Sequence, residues 1–529
     1  MVDPAEKARQ LEEENARLRS ERDRLVEENA RLASENALLR QKVEELSRQL
    51  FGRSAEQVDA TELAKAVEES REPDASPPPP FVAEAMDVET PTAEEREKGK
   101  GHGRRPLPTD LPRDTAVHAL SGAALRCPIC GLERECFGEE VTEVADYVPG
   151  SIRVKVHKRL KYRCVPCQGE VVCASLPPMP IEKGRPGAGL LAFVVNGKYG
   201  DHLPLNRLAA ILGRDGVDIS RSTLCDWVDE TAFLLRPIVA EMARSMKQGP
   251  VIGADETGVL VLDKKAKGGT RKGRMWAYRG APGEVVFKHT ATKATYEKDG
   301  PAEFLAGYRG KLQADAANVF DALYKSGDIV EVGCMAHCRR KFYKAKDAFP
   351  REAGWALAAI RSLYRIEAEA RQKGLTADQR RALRQEKAKP IVDGFFAWLH
   401  GLAPTVPPRT LLATAVGYAL NQEAALKRYL DDGRLSIDNN DVERALRQVA
   451  VGRNAWLFAG SAKGAEVGAT LYSLVVSCRE LGIDPWAYLR DVIDRVSTHP
   501  ASRVAELTPR GWKAARAAGA GAPAAADSS

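Results

Sequence analysis

The chain has 529 residues, of which 44% are hydrophobic and 29% charged, with a formal net charge of +6. That length exceeds what one hydrophobic core can organise and predicts about three or four units. No apolar run approaches the roughly eighteen residues of a membrane helix and no signal peptide opens the chain, so a membrane or exported protein is not expected. Mild basicity suits a nucleic-acid partner without requiring one.

Residues 1–56 carry the most regular pattern. Leu11, Leu18, Leu25, Leu32, Leu39 and Leu46 recur at every seventh position. With these leucines at d, Asn15, Arg22, Asn29, Asn36 and Val43 fall at a. Leucine at d buries a helical seam, and Asn at a trades stability for a fixed register, so a homo-oligomeric coiled coil, a dimer first, is predicted. A zipper transcription factor would continue into a basic helix. Residues 1–50 instead hold ten Lys/Arg against twelve Asp/Glu. The zipper is therefore expected to pair chains and not to grip DNA.

Residues 57–113 shift to Pro77–Pro80, then acidic residues, then KGKGHGRRPLP. Too little apolar surface is present to order this stretch, and it reads as a disordered linker. Arg104 and Arg105, among glycines, suit a flexible arm entering a minor groove or a solvated basic linker. Residues 114–178 contain Cys127-Pro-Ile-Cys130 and Cys164-Val-Pro-Cys167, with 33 residues between the inner cysteines. Two such knuckles suit a tetrahedral four-cysteine zinc site, although the spacing is longer than in common zinc ribbons. Cys136 and Cys173 are rival ligands. Disulfides are the competing reading, disfavoured without a secretion signal. The intervening VTEVADYVPGSIRVKVHKRLKYRC alternates like paired strands, and its Lys158 and Arg159 lie either on a phosphate-contacting face or on a solvated one.

Residues 179–248 read as a helical region. LPLNRLAAIL is amphipathic, GRDGVDIS is a turn, and Thr223 is expected to cap the LCDWVDE helix with Asp226 in the capping-box position. The spacing resembles a helix-turn-helix. The acidic second helix favours a structural role, with Arg221 at its N-terminus the candidate DNA contact.

Residues 249–460 hold the acidic signal. Asp255 in VIGADETGVLVL and Asp315 in GKLQADAANVF sit at predicted strands, and Glu443 in IDNNDVERALR opens an amphipathic helix. Carboxylates are costly to bury without a compensating cation, and a pair of divalent ions flanked by carboxylates is the apparatus of phosphodiester cleavage. Strands bearing two carboxylates and a late helix bearing a third follow the plan of a ribonuclease-H-like fold. Glu256 is expected to point to the opposite face from Asp255. Asp438 and Asp441 rival Glu443 in the sequence, and Asp438 suits a helix cap. Arg447, one turn beyond Glu443, suits either a DNA phosphate or an ion pair with that glutamate; Arg453 suits phosphate. Cys334, His337 and Cys338 in GCMAHCRRKF lack a fourth metal ligand, so His337 is expected to support the site or pack in the core. Arg339 and Arg340 beside them are candidate DNA contacts. The 128 residues from Asp315 to Glu443 exceed a minimal core and predict a helical insertion over about 350–432. Helices are expected over 461–513 and a disordered Ala-rich tail over 514–529.

Taken in order, the zipper, LFGRSAE, GHGRRPLP, the paired CxxC, GKYGDHLPLNR, ADET, LQADA, GCMAHCRRKF, DDGRLSIDNNDVERALR and GRNAWLFAGS resemble IS66-family transposases, bacterial insertion-sequence enzymes of the DDE class, across about residues 1–515. The second cysteine of GCMAHCRRKF departs from the usual family version. The resemblance implies a multidomain α/β protein: N-terminal coiled coil, small zinc-binding domain, and ribonuclease-H-like catalytic core with an α-helical insertion. It implies Asp255, Asp315 and Glu443 as ligands of two Mg2+ or Mn2+ ions, structural Zn2+, double-stranded DNA (element ends and target) as partner, and a bacterial cytoplasmic, nucleoid-associated location. Family elements often encode two small accessory proteins, which are possible further partners. The competing expectations are a structure-selective nuclease on the same fold and a catalytically dead DNA-binding regulator.

Overall fold

The computed structural model describes residues 152–162, 172–181, 186–266, 268–280, 283–290 and 300–518, with 17–24 and the single positions 28, 31 and 132. The chain divides into two compact units, Glu89–Lys158 and the remainder. Residues 17–24 are helical, in keeping with the heptad pattern. The rest of the zipper, the linker with Arg104 and Arg105, Cys127, Cys130, Cys136, Cys164, Cys167 and the tail from 519 lie outside the described residues.

Among the described residues β1 (Lys161–Tyr162) and β2 (Val172–Cys173), on either side of the second cysteine pair, run antiparallel; residues 141–151 and 163–164 of the expected strand segment lie outside the described residues. Residues 152–160 are not in a strand, and Val154, Val156 and Leu160 are exposed, so alternation here marks no buried face. Arg159 donates from Nε to Ala174 O at 2.6 Å, a local brace for β2, whereas Lys158 is exposed.

Three helices follow: α1 (Ala188–Tyr199), α2 (Leu205–Arg214) and α3 (Arg221–Met246). The α3 cap is Ser220, whose Oγ accepts from Thr223 N–H at 3.1 Å. Thr223 is therefore an acceptor's partner inside the first turn and not the cap, because a side chain one turn earlier already satisfies its amide. The helix also outruns LCDWVDE by several turns. It buries Leu224, Val228, Leu235, Ile238 and Met242, which makes it a structural helix, while Arg221 at its start stays exposed.

The central sheet has five strands in the order β5-β4-β3-β6-β7. These are β3 (Val251–Leu262), β4 (Thr270–Arg279), β5 (Val285–Thr290), β6 (Gly310–Gln313) and β7 (Ile329–Val332). β3, β4 and β5 form an antiparallel meander, and β6 and β7 run parallel to β3. Short helices α4 (Pro301–Phe304) and α5 (Asp321–Lys325) flank β6. β3 is thus central, bordered by β4 and β6.

A helical block follows β7: α6 (Met335–Ala345), α7 (Pro350–Gln372), α8 (Ala377–Leu383), a π turn (Arg384–Ala388), α9 (Lys389–Leu402), α10 (Leu411–Asn421) and α11 (Glu423–Lys427). Its own core gathers Phe342, Trp355, Ile360, Phe395, Phe396 and Leu412. Then come α12 (Asn440–Trp456), α13 (Ala462–Glu480), α14 (Pro485–Arg495) and α15 (Pro509–Ala517). α13 seals the sheet edge: Ser477 Oγ accepts from Val285 N–H at 2.9 Å and Ser473 Oγ from Phe287 N–H at 2.8 Å. Edge-strand amides are satisfied by helix hydroxyls, and the edge is closed to further strands. α15 carries helix past Ala514, where the tail was expected to begin. Thr508 Oγ1 accepts from Gly511 N–H at 3.1 Å, Pro509 fits the first turn, and Trp512 packs edge-on against Tyr488.

One buried ion pair fixes the route into α12. Arg384 is wholly buried and meets Glu367 through two bonds, Nε to Oε1 at 2.7 Å and Nη2 to Oε2 at 2.8 Å. The same guanidinium donates to Tyr429 O, Asp432 O and Leu435 O. A bidentate pair with every donor direction in use offsets its desolvation, whereas either partner alone would not. Arg384→Met is expected to cost roughly 3–5 kcal/mol in denaturant unfolding by stranding Glu367, and adding Glu367→Met should recover part of that loss. A double variant no more stable than Arg384→Met would show that the carbonyl contacts, and not the stranded charge, carry the cost.

Candidate carboxylate site

The three carboxylates singled out in the sequence come from three different elements. Asp255 stands in the middle of β3, Asp315 two residues beyond β6, and Glu443 in the first turn of α12. Parallel pairing of Val251–Gly253 with Lys311–Gln313 brings the first two to the same end of adjacent strands. Gln313 anchors the second strand by donating to Ser436 O at 2.8 Å and Gly333 O at 3.3 Å.

Glu443 arrives because α12 lies unusually close to β3. A Cβ on Gly253 would stand 2.7 Å from Val442 Cγ2 and 3.0 Å from Asn439 Oδ1. Only glycine leaves that space. Asn439 then donates from Nδ2 to Ala254 O at 2.9 Å, one residue ahead of Asp255. Its amide is committed to the strand and does not cap the helix. Asp438 takes over part of that work: Oδ1 accepts from Asn440 N–H at 3.1 Å, and Oδ2 accepts from Tyr364 OH at 2.7 Å. An acidic first turn also suits the positive end of the helix dipole.

The rival acids have other partners. Asp438 is held as above, and Asp441 pairs with Arg279 and Arg444, each at 3.2 Å. Glu256 points away and pairs with Arg274 on β4. Glu443 instead lies 3.7 Å from His337 Nδ1 through Oε1 and 3.6 Å from Arg340 Nη2 through Oε2.

Electrostatics tie the three together. Burial first, then the charges of Asp315 and Glu443, push Asp255 up to about 7, with Arg340 opposing. Burial holds His337 below its ordinary value despite Glu443, so its imidazole is neutral at physiological pH. Burial likewise pushes the Cys334 thiol up to about 12, and its Sγ accepts from Asn439 N–H at 3.2 Å. Cys338, grouped with these two in the sequence, lies in the apolar core with Phe342 and, among the described residues, joins no cluster of potential metal ligands.

Of the candidate DNA contacts, Arg447 is exposed and makes no ion pair with Glu443 among the described residues. Arg453 is half-buried and bonds Gly258 O and Thr257 Oγ1, bracing α12 against β3. Arg339 lies over the Tyr343 ring at 5.8 Å. Beyond Arg453 the chain turns at Leu457, a non-glycine residue at φ 65°, and exposes Leu457 and Phe458 before Ala459 bonds β3 at Leu260 and Leu262. Neither Gly253 nor Asn439 was picked out by sequence. The signal was present in the small residue ahead of ADET and the paired asparagines of IDNN, but nothing local says that they meet.

Asp255 also makes the metal-free site pH-sensitive. Its folded pKa lies above its unfolded one near 3.8. The relative stability it contributes is full below the unfolded value and is lost as pH rises through about 7. Asp255→Asn should therefore raise the stability of metal-free protein at pH 8 by roughly 2 kcal/mol, with the full linkage value halved for solvent screening, and change little at pH 4. Equal effects at both pH values in thermal unfolding would contradict this.

The matches to known families fall on the same residues. The Transposase IS66 family model matches residues 183–467, the IS66 C-terminal element 473–510, and the zinc-finger binding domain of transposase IS66 125–168, which includes all four paired cysteines. A further model, Transposase C of IS166 homeodomain, matches 38–115. Among relatives, the uncharacterized protein y4hP of Sinorhizobium fredii is 32% identical over 517 residues, covering 91% of this chain and 89% of its own. The uncharacterized protein y4qI of the same organism is 36% identical over 400 residues, covering 72% and 73%. With a family model spanning more than half its length and a relative 32% identical over 91% of the chain, the chain belongs to the IS66 transposase family.

Proposed function

We propose that the chain is the DNA transposase of a bacterial insertion sequence. It binds the ends of its element, hydrolyses a phosphodiester there and joins the freed 3′-OH to target DNA. Asp255, Asp315 and Glu443 hold two divalent ions, Mg2+ or Mn2+. The observation that carries this reading is convergence: the carboxylates on β3, just beyond β6 and on α12 lie near enough for the charges of Asp315 and Glu443 to add to burial, the larger cause, in pushing Asp255 up to about 7. Such crowding of negative charge is what a bound cation relieves. Glu443 Oε1 is also buried with no hydrogen bond among the described residues. The sheet order, an antiparallel meander followed by two strands parallel to its first, supports a ribonuclease-H-like core.

When bound, a pair of such ions activates a water for attack and stabilises the leaving 3′ oxygen. The chain's own part is placement. The Gly253 contact and the Asn439 bond hold Glu443 over the strand, and Arg340 orients its other oxygen. Neutral His337 adds no charge to compete with the ions. Arg447, exposed one turn beyond Glu443, is placed to hold a DNA phosphate, with Arg339 and Arg340 on the neighbouring helix. Arg453 acts chiefly as a brace. No Ser or Tyr nucleophile is required, because the attacking groups are water and then the 3′-OH.

End recognition is assigned to the zinc-finger segment, where Cys127, Cys130, Cys164 and Cys167 hold structural Zn2+, together with the helices of 200–230. Arg104, Arg105, Lys158, Arg159 and Arg221 contact phosphates. The N-terminal heptads pair two chains. Leu18, at a d position, lies on the helical segment 17–24. Among the described residues no helix is long and apolar enough to cross a membrane, in keeping with an enzyme working on DNA in the bacterial cytoplasm at the nucleoid.

The test is an in vitro strand-transfer assay with labelled element ends, Mg2+ or Mn2+, a supercoiled target and any accessory proteins of the element. Asp255→Asn, Asp315→Asn and Glu443→Gln should each reduce joined products by on the order of a hundredfold or more while end binding persists. Cleavage without joining would instead make the chain a nuclease, and end binding without chemistry in wild type would make it a regulator.

A further inference from the structure

Beside the carboxylate centre, Cys334 and His337 bring two ligand atoms that the proposed chemistry does not use up to Glu443, which it does use. The Cys334 sulfur, a ring nitrogen of His337 and a carboxylate oxygen of Glu443 all lie within 4.8 Å of one another. His337 Nδ1 and Glu443 Oε1, 3.7 Å apart, are each buried without a hydrogen bond. Two buried polar atoms left unpaired and facing each other need an explanation, and a cation between them supplies one.

We propose that Cys334, His337 and Glu443 form a Zn2+ site distinct from the carboxylate centre but sharing Glu443 with it. Thiolate, imidazole and carboxylate together select zinc over magnesium, which avoids sulfur. Three protein ligands leave a fourth tetrahedral position for water. The two elements that carry the ligands are locked by backbone bonds. Asn439 N–H donates to Cys334 Sγ at 3.2 Å, and Met335 N–H donates to Ile437 O at 3.0 Å. The first of these is the kind of outer contact that steadies a metal-bound sulfur. Cys334 stands just ahead of α6 and His337 in its first turn, so one turn of backbone presents both, while Glu443 closes the site from α12. Zinc binding displaces the Cys334 thiol proton to solvent.

The consequence follows from the shared ligand and rests on the function proposed above. A carboxylate drawn toward the Cys334–His337 side is withdrawn from Asp255 and Asp315, so Zn2+ inhibits the Mg2+-dependent reaction reversibly. The existence of the site is tested without any DNA chemistry. Full-length protein, saturated with Zn2+ and dialysed into metal-free buffer, is analysed for bound zinc by mass spectrometry. Wild type should hold about two ions per chain, one at the four-cysteine site and one here. His337→Ala and Cys334→Ser should each hold about one fewer, whereas Asp255→Asn should keep both. Zinc-edge X-ray absorption on wild type alone guards against a variant that fails to fold, and it should show nitrogen or oxygen neighbours besides sulfur. Equal zinc in wild type and His337→Ala, loss in Asp255→Asn alone, or an all-sulfur zinc environment in wild type would overturn the proposal. Each of these readings leaves the strand-transfer result unaffected, so the two accounts fail separately.

Discussion

The seating of α12 on β3 is the contact on which the rest of the site depends. With no side chain at Gly253, Val442 and Asn439 approach the strand to a distance that a Cβ would forbid. The Asn439 bond to Ala254 O then fixes both the height and the rotation of the helix beside Asp255. Glu443 follows one turn later as a matter of helical geometry.

The surroundings keep that seat in place. On the far side, Arg384, held by Glu367, donates to the carbonyls of Tyr429, Asp432 and Leu435, so the chain enters α12 along one path. Lys311 on β6 meets Asp432 at 2.5 Å, and Arg434 holds the same carboxylate well below the usual range. At the other end of α12, Arg453 grips the β3 backbone. α13 closes the outer edge of the sheet through two serines. The helical block after β7 is therefore more than an appendage, since its buried ion pair fixes the segment that delivers Glu443.

Much of this was legible in the sequence, and the reasons differ by element. Asp255 and Asp315 stood out because an acid flanked by apolar strand residues is rare and its neighbours alternate. Glu443 needed the motif around it, since Asp438 and Asp441 are equally acidic; the structure separates them by giving each of those two other partners. What stayed hidden depends on contacts distant in the chain. Arg384 and Glu367 lie 17 residues apart, on a π turn and a helix, in a stretch that reads as ordinary surface charge. The convergence of Cys334 and His337 with Glu443 joins α6 to α12 across the whole helical block. Local errors had local causes. Ser220 outcompeted Thr223 as a cap, and the Thr508–Pro509 start carried helix into an Ala-rich stretch that composition alone marked as tail.

The central claim is that Asp255, Asp315 and Glu443 act as one divalent-metal centre. Mn2+ titration of full-length protein carrying a single Zn2+ per chain, at the four-cysteine site, followed by electron paramagnetic resonance, tests it most directly because it reads the ions and not their product. Wild type should bind about two Mn2+ per chain, spin-coupled through their proximity, and each of Asp255→Asn, Asp315→Asn and Glu443→Gln should abolish the coupling. Uncoupled Mn2+, or coupling that survives any one of the three substitutions, would contradict the account.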